Sequence, residues 1–268
     1  MGLSAPAIAS RKTRNGHAPL VMVTAYDAPG ARIAAEAGAD IILVGDSLAM
    51  VVLGYDDTLQ VSVEDMAHHT AAVARAEPGT HIVADMPWMS YHVSAEDTVN
   101  NAARLIRSGA QSVKLEGGRK RLPMIERIIA AEIPVMGHIG LTPQSVHAMG
   151  GFKVQARDAE QARKLVQASK ALAHAGCYAL VLEGVPAAVA ASVSEAVDIP
   201  TIGIGAGPHT DGQVLVLHDL LGLEDRRLPK FVRRYADLKS AAVDALGAFA
   251  ADVRSGAFPS ADETYDPA

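Results

Sequence analysis

The sequence predicts an α/β protein built as a (β/α)8 barrel, a TIM barrel, and three observations carry that reading. Eight short runs rich in β-branched residues alternate with alanine-rich amphipathic segments along most of a 268-residue chain, close to the usual length of such a barrel. The strand runs are continuously apolar rather than alternating, as strands covered by helices on a parallel sheet must be. Glycine closes several helical runs, at Gly38, Gly109 and Gly176, where a left-handed cap is wanted. No linker or shift in composition interrupts the pattern. One barrel domain over 1–268 is therefore expected, with an N-terminal extension of about 1–18 and a loosely ordered tail over about 257–268. A doubly wound open sheet shares the same alternation, and periodicity alone does not separate the two.

The first candidate strand is Leu20–Thr24, followed by a helix near Ala28–Ala37 that Gly38 ends. Ile41–Val44 comes next, then a long interval, "LAMVVLGYDDTLQVS", before a helix at Val63–Arg75 and a strand at His81–Ala84. Ala95–Ser108 reads as a helix, Ser112–Leu115 as a strand, Leu122–Ala131 as a helix and Pro134–His138 as a strand. The cadence continues with a helix at Ala159–Ala175, a strand at Ala179–Leu182, a helix at Pro186–Val197 and a strand at Thr201–Ile204. The interval to the last candidate strand, Val214–Leu217, is too short for an ordinary helix. Phe231–Val253 reads as a long final helix with Phe231, Tyr235, Leu238, Ala242, Leu246, Phe249 and Val253 near one stripe, able to cover its own barrel or a neighbouring subunit.

Composition narrows the function classes. A net charge of −6 argues against a nucleic-acid surface, and the short basic runs at Arg11–Arg14 and Arg119–Arg121 read as solvated. One cysteine, Cys177, excludes an intrachain disulfide and a thiolate metal cluster. No apolar run approaches the roughly 18 residues of a membrane span. The first residues lack a charged leader before an apolar core, and Pro6 stands where a myristoylation site wants Ser or Thr. A cytoplasmic protein is expected.

Four candidate strands end on acids: Asp46 in "IILVGDS", Asp85 in "HIVADM", Glu116 in "SVKLEGG" and Glu183 in "ALVLEG". Barrel active sites lie at the carboxyl ends of the strands, and adjacent strands are about 4.8 Å apart. Asp46, Asp85 and Glu116 end consecutive strands and can converge on one ion. Oxygen donors without cysteine suit a hard cation, Mg²⁺ above all. The alternative for any one acid is a helix cap or a solvated loop. Lys114 shares a strand face with Glu116. It invites a Schiff-base aldolase, but a neighbouring carboxylate would keep its ammonium charged, which suits a partner for a substrate carboxylate. A salt bridge across the barrel mouth is the plainer alternative. Glu183 reads equally as a general base away from the metal or as a cap before Pro186. His138 in "GHIGLTPQS" reads equally as a donor to a substrate oxygen or as a structural residue. His68 and His69 cannot share a helix face to bind zinc. "IGIGAG", Ile202–Gly207, lacks Walker or GxGxxG spacing and reads as a strand end where a ligand approaches the backbone.

With these residues in place, the chain closely resembles the ketopantoate hydroxymethyltransferase family. The resemblance lies in "TAYDAPGA", "LVGDSLAMVVLGYDDTLQV", "VKLEGG", "GHIGLTPQSVHAMGGFKVQ", "LVLEGVP", "IPTIGIGAGPHTDGQVLVLHDLLG" and "PKFVRRYADL", in order from about Val21 to Leu238. It implies a barrel of the phosphoenolpyruvate/pyruvate superfamily assembled as a homodecamer of two pentameric rings. It implies Mg²⁺ held by Asp46, Asp85 and Glu116, a 2-oxo acid contacted by Ser47, Asp85 and Lys114, and Glu183 as proton acceptor; Asp46 and His138 are expected to touch the substrate as well. The implied reaction moves a one-carbon unit from 5,10-methylenetetrahydrofolate to 3-methyl-2-oxobutanoate through a Mg-stabilised enolate, giving 2-dehydropantoate for pantothenate and coenzyme A. Ala49, Asp57, Gln60, Ala156 and Thr210 depart from the family's usual residues, and none of these is a proposed ligand or base.

Overall fold

The computed structural model describes residues 2–76 and 78–265. In chain order its elements are α1 (Ala5–Ala9), β1 (Leu20–Thr24), α2 (Ala28–Glu36), β2 (Ile41–Val44), α3 (Leu48–Val51), α4 (Val63–Ala74) and β3 (His81–Asp85). Then come α5 (Ala95–Arg107), β4 (Ser112–Glu116), α6 (Leu122–Ala130), β5 (Val135–Gly140), α7 (Val146–Met149), α8 (Ala159–His174) and β6 (Ala179–Glu183). The last are α9 (Ala187–Ala196), β7 (Thr201–Ile204), β8 (Gly212–Leu215), α10 (Leu217–Leu221) and α11 (Leu238–Ser255). The eight strands pair in parallel in chain order, and β8 returns to β1 through Leu20–Gly212 and Met22–Val214, so the barrel is closed and the open sheet is excluded.

The chain divides into two compact units, residues 1–217 with the barrel and residues 218–268 with α11. The expected tail at 257–268 includes a short 3-10 turn, Ala261–Glu263, and its last three residues lie outside the described ones, as does Met1 of the N-terminal extension. The final helix starts at Leu238, not at Phe231. Asp237 ends the preceding loop by accepting from the Ser240 hydroxyl at 2.8 Å, and an N-cap fixes a helix start that an apolar stripe alone cannot. Elsewhere the caps agree with the sequence pattern: Asp27 accepts from Gly30 N at 2.7 Å, Ser62 and Asp65 form a capping box, and Asp158 accepts from Gln161 N at 2.8 Å.

Strand alternation sorts side chains into two cores. Ile42, Val44, Ile82, Ala84, Val113, Leu115, Leu180 and Leu182 face the helices, while Leu43, Val83, Met136 and Val181 fill the barrel interior. α1, unannounced in the sequence, supplies Ala5 and a fully buried Ile8 to that interior cluster. At the amino ends of the strands the interior is polar but neutral. His81 Nε2 lies 2.9 Å from Ser112 Oγ, which lies 2.8 Å from Tyr178 Oη, and burial pushes His81 down to about 4. At the carboxyl ends the interior becomes ionic.

A buried latch replaces the helix missing between β7 and β8. Lys12 Nζ lies 2.6 Å from Asp211 Oδ2 and 2.7 Å from Ser194 O, while Asp211 also accepts from Thr13 N and Thr201 N at 2.9 Å each. Burial raises the Asp211 carboxyl, but Lys12 and the Thr201 and Thr13 donors outweigh it and hold the group below its ordinary value. Its contribution to stability is thus present above the unfolded carboxylate pKa, about 3.9, and is lost as pH falls through the lower folded value. Asp211→Asn strands a buried ammonium and should lower unfolding free energy by about 3–5 kcal/mol, read from the urea midpoint at pH 7. The gap from the unaltered protein should narrow in acid.

Gly140 ends β5 at φ +98, and a Cβ there would sit 2.3 Å from Glu183 O. Gly140→Ala should cost about 1–3 kcal/mol in the same measurement, because β5 and β6 must part where His138 and Glu183 stand.

Candidate active site

Register brings the predicted residues together. Asp85 pairs with Lys114 across β3 and β4, Glu116 with His138 across β4 and β5, and Gly140 with Glu183 across β5 and β6. Asp46 follows β2 by two residues, and its backbone N–H donates to Asp85 Oδ2 at 3.0 Å. Asp46, Asp85, Lys114, Glu116 and His138 are all buried, none more than 4% exposed, and Glu183 is slightly more open.

The charged groups form a chain. Lys114 Nζ lies 2.7 Å from Asp85 Oδ1. His138 Nδ1 stands 3.3 Å from both Lys114 Nζ and Glu116 Oε1, and His138 Nε2 stands 3.2 Å from Glu183 Oε2. Lys114 closes an ion pair within the mouth, while Glu183 faces an imidazole and gives α9 no side-chain cap, the helix starting after Pro186. Ser47 precedes α3, with its hydroxyl 2.8 Å from Tyr26 Oη.

Burial dominates the electrostatics. It raises Asp46 well above its ordinary value, and repulsion from Asp85 and Glu116 adds to it. Asp85 is raised by burial, with Lys114 opposing. Burial would raise Glu116, but His138 and Lys114 draw it down. Burial and the Lys114 charge push His138 down, and Glu116 with Glu183 outweigh them, leaving it raised to about 9. Burial would lower Lys114, but Asp85, Glu116 and Asp46 together raise it, so it is held as an ammonium and not as a Schiff-base nucleophile. Cys177, buried in the barrel wall, is pushed up to about 12, far from a reactive thiolate.

Among the described residues no three His, Cys, Asp or Glu side chains close on one point as a preformed metal cage. Mg²⁺ does not need one, since it takes one or two carboxylates and fills its octahedron with water and substrate. The residues fit such an ion. The donors are all carboxylate oxygens, and buried Asp85 Oδ1 has an ion partner but no aligned hydrogen bond. A Cβ at Gly45 would crowd Ser47 Oγ at 3.0 Å and Asp85 Oδ2 at 3.4 Å, so the glycine keeps space beside the acids.

Two residues of the site escaped sequence reasoning. Gln144 donates to Asp46 Oδ2 at 2.8 Å and Tyr91 donates to Gln144 Oε1 at 2.5 Å, both from connections after the strands. Gln144 lies inside the quoted "GHIGLTPQS" stretch, and its place beside His138 was the available signal. In "IGIGAG" the need for small residues comes from the protein itself: a Cβ at Gly207 would lie 2.4 Å from that of Ala187, and one at Gly203 would lie 2.8 Å from Thr210 Oγ1. His69 Nδ1 bonds Tyr26 O at 2.7 Å, a structural role. Three of the departures are accommodated locally: Ala49 is fully buried, Asp57 accepts from Leu59 N at 2.9 Å, and Thr210 donates to Gly212 O at 2.8 Å, while Ala156 sits at φ +56, which a residue with a side chain rarely adopts.

Among solved structures the barrel is similar to 2,3-dimethylmalate lyase, a PEP mutase/isocitrate lyase superfamily member. The match has TM-score 0.61 and 18% identity over 98% of this chain and 92% of that one. It is also similar to phosphonopyruvate hydrolase in complex with oxalate and Mg²⁺, with TM-score 0.62 and 15% identity over 97% and 93%. At those identities the likeness is one of fold. Sequence relatives are nearer. The 3-methyl-2-oxobutanoate hydroxymethyltransferase of Methylobacterium sp. (strain 4-46) is 57% identical over 92% of this chain and 85% of its own. That of Pyrobaculum islandicum is 56% identical over 91% and 93%. The ketopantoate hydroxymethyltransferase family model matches residues 4–261. The chain belongs to the ketopantoate hydroxymethyltransferase family and is a transferase.

Proposed function

We propose that the protein transfers a hydroxymethyl group from 5,10-methylenetetrahydrofolate to 3-methyl-2-oxobutanoate, giving 2-dehydropantoate on the way to pantothenate and coenzyme A. The observation that carries this reading is the buried charge chain Asp85–Lys114–His138–Glu183, with Asp46 and Glu116 beside it, at the carboxyl ends of β2 to β6. Asp46, Asp85 and Glu116 would hold Mg²⁺, which when bound supplies Lewis-acid polarisation of the 2-oxo group and so acidifies C3. Lys114 and Ser47 bind the substrate carboxylate, and Asp85 keeps the Lys114 ammonium in position. Glu183 takes the proton from C3. His138, cationic between Glu116 and Glu183, steadies the Glu183 carboxylate and donates to the substrate oxygen. The electron pair left at C3 forms the bond to the folate's methylene carbon as one of that carbon's two C–N bonds breaks. Water replaces the second C–N bond and supplies the hydroxyl oxygen, and tetrahydrofolate leaves with its two nitrogens protonated by the C3 proton and a proton of the water. No helix among the described residues is long and apolar enough to cross a membrane, which supports work in the cytoplasm. The exposed Leu238, Val243, Leu246, Phe249 and Val253 on α11 support assembly with further copies, a homodecamer by family expectation.

Glu183→Gln should lose about 10²-fold or more in tritium release from C3 of 3-methyl-2-oxobutanoate, while calorimetry still detects the oxo acid in the presence of Mg²⁺. Near-normal release would remove Glu183 from the role of base. Asp46→Asn removes a carboxylate that burial and repulsion penalise, so in EDTA at neutral pH it should raise stability by about 0.5–2 kcal/mol. The same variant should bind the oxo acid more weakly in Mg²⁺.

A further inference from the structure

We propose that Gln144 is the positioning residue of the acidic cluster: its side chain fixes which oxygen of Asp46 stays open to a divalent cation, and its backbone N–H holds Glu116 beside it. The inference rests on the cation site proposed above and deepens it.

Gln144 lies in the 3-10 turn Pro143–Ser145 after β5 and is 5% exposed. Its Nε2 donates to Asp46 Oδ2 at 2.8 Å and to Met86 O at 3.0 Å. A carboxylate and a carbonyl both accept only, so the amide has one permissible orientation. Oε1 then faces Tyr91 Oη at 2.5 Å, and Tyr91 Oη accepts from Glu116 N at 3.2 Å, which directs the tyrosine proton to Gln144. The backbone N–H of Gln144 donates to Glu116 Oε2 at 3.0 Å. One residue thus ties together the ends of β2, β3 and β4, and every polar group it uses is committed.

The consequence concerns the oxygens left over. Asp46 Oδ2 and Glu116 Oε2 are occupied by Gln144. Asp46 Oδ1 takes no hydrogen bond among the described residues, and Glu116 Oε1 faces His138 Nδ1 at 3.3 Å. Two buried carboxylates that repel each other are thereby held in place, Asp46 presenting Oδ1 while Glu116 Oε1 is paired with His138. An isosteric apolar side chain would fill the same space, yet it would leave Asp46 free to turn. A glutamate would set a further carboxylate against Asp46 and the Met86 carbonyl.

The test is Mn²⁺ binding to the full chain, followed by water-proton relaxation, for the unaltered protein, Gln144→Met and Tyr91→Phe. Gln144→Met should weaken Mn²⁺ by about 10–100-fold, the usual loss when a partner behind a metal ligand is removed. Tyr91→Phe keeps the ring and removes the donor to Gln144 Oε1 together with the acceptor for Glu116 N, leaving the Gln144 contact to Asp46 in place, so it should weaken Mn²⁺ in the same direction by a smaller factor. In turnover, the Mg²⁺ concentration for half-activation should rise in parallel, with kcat recovering at saturating Mg²⁺. A folded Gln144→Met that binds Mn²⁺ as the unaltered protein does, or that loses kcat at every Mg²⁺ concentration without a change in Mn²⁺ affinity, overturns the inference alone. If Gln144→Met does not fold, Tyr91→Phe decides by the same comparison. An unaltered protein that binds no Mn²⁺, with or without 3-methyl-2-oxobutanoate, overturns the proposed function and this inference with it.

Discussion

Three carboxylates buried within hydrogen-bonding reach of one another's partners set the terms for the rest of this molecule. An unpaired buried charge is expensive, and like charges side by side are worse. Asp46, Asp85 and Glu116 persist because closing the barrel delivers compensation from three directions. Lys114 arrives from the neighbouring strand, His138 from the strand beyond, and Gln144 from the turn after it. Parallel register is what makes this possible: pairing Asp85 with Lys114 and Glu116 with His138 alternates the signs of charge from one strand to the next. A one-residue slip would turn each of these side chains into the wall.

The compensation is incomplete, and the incompleteness is where function enters. Asp46 remains well above the ordinary carboxylate range because burial, Asp85 and Glu116 outweigh Lys114 and Gln144. On the proposed function, a site strained in this way would gain from a divalent cation, and a cation so held would gain from a chelating 2-oxo acid. The opposite end of the barrel avoids such strain. There His81 is kept neutral, Ser112 and Tyr178 complete its hydrogen bonds, and the Lys12–Asp211 pair ties the N-terminal segment to the β7–β8 edge. The neutral network and the latch lie at one end of the barrel and the proposed chemistry at the other, the division of labour that barrels favour.

Much of this was legible in the residues. Apolar runs that end on acids marked both the strands and the end of the barrel at which the acids gather, and the spacing of Lys114 and Glu116 placed them on one side of their strand. Those inferences needed only local period and strand order. What was not legible depended on partners far apart in the chain. Gln144 meets Asp46 from 98 residues away, and Lys12 meets Asp211 from 199 residues away. No pattern within one segment reveals such pairs. α1 is too short for periodicity to show, and α11 begins at its cap rather than where its apolar stripe begins. The glycines of "IGIGAG" illustrate a third kind of blindness, because the demand for small residues came from Ala187 and Thr210.

On the proposed function, these buried acids support metal-dependent one-carbon transfer to a 2-oxo acid. The most direct measurement is formation of 2-dehydropantoate from 3-methyl-2-oxobutanoate and 5,10-methylenetetrahydrofolate by the purified protein, with Mg²⁺, after EDTA, and after Mg²⁺ is restored. Product should form with Mg²⁺, disappear in EDTA and return when Mg²⁺ is restored. Undiminished product in EDTA, or none under any of the three conditions, would contradict the proposed function.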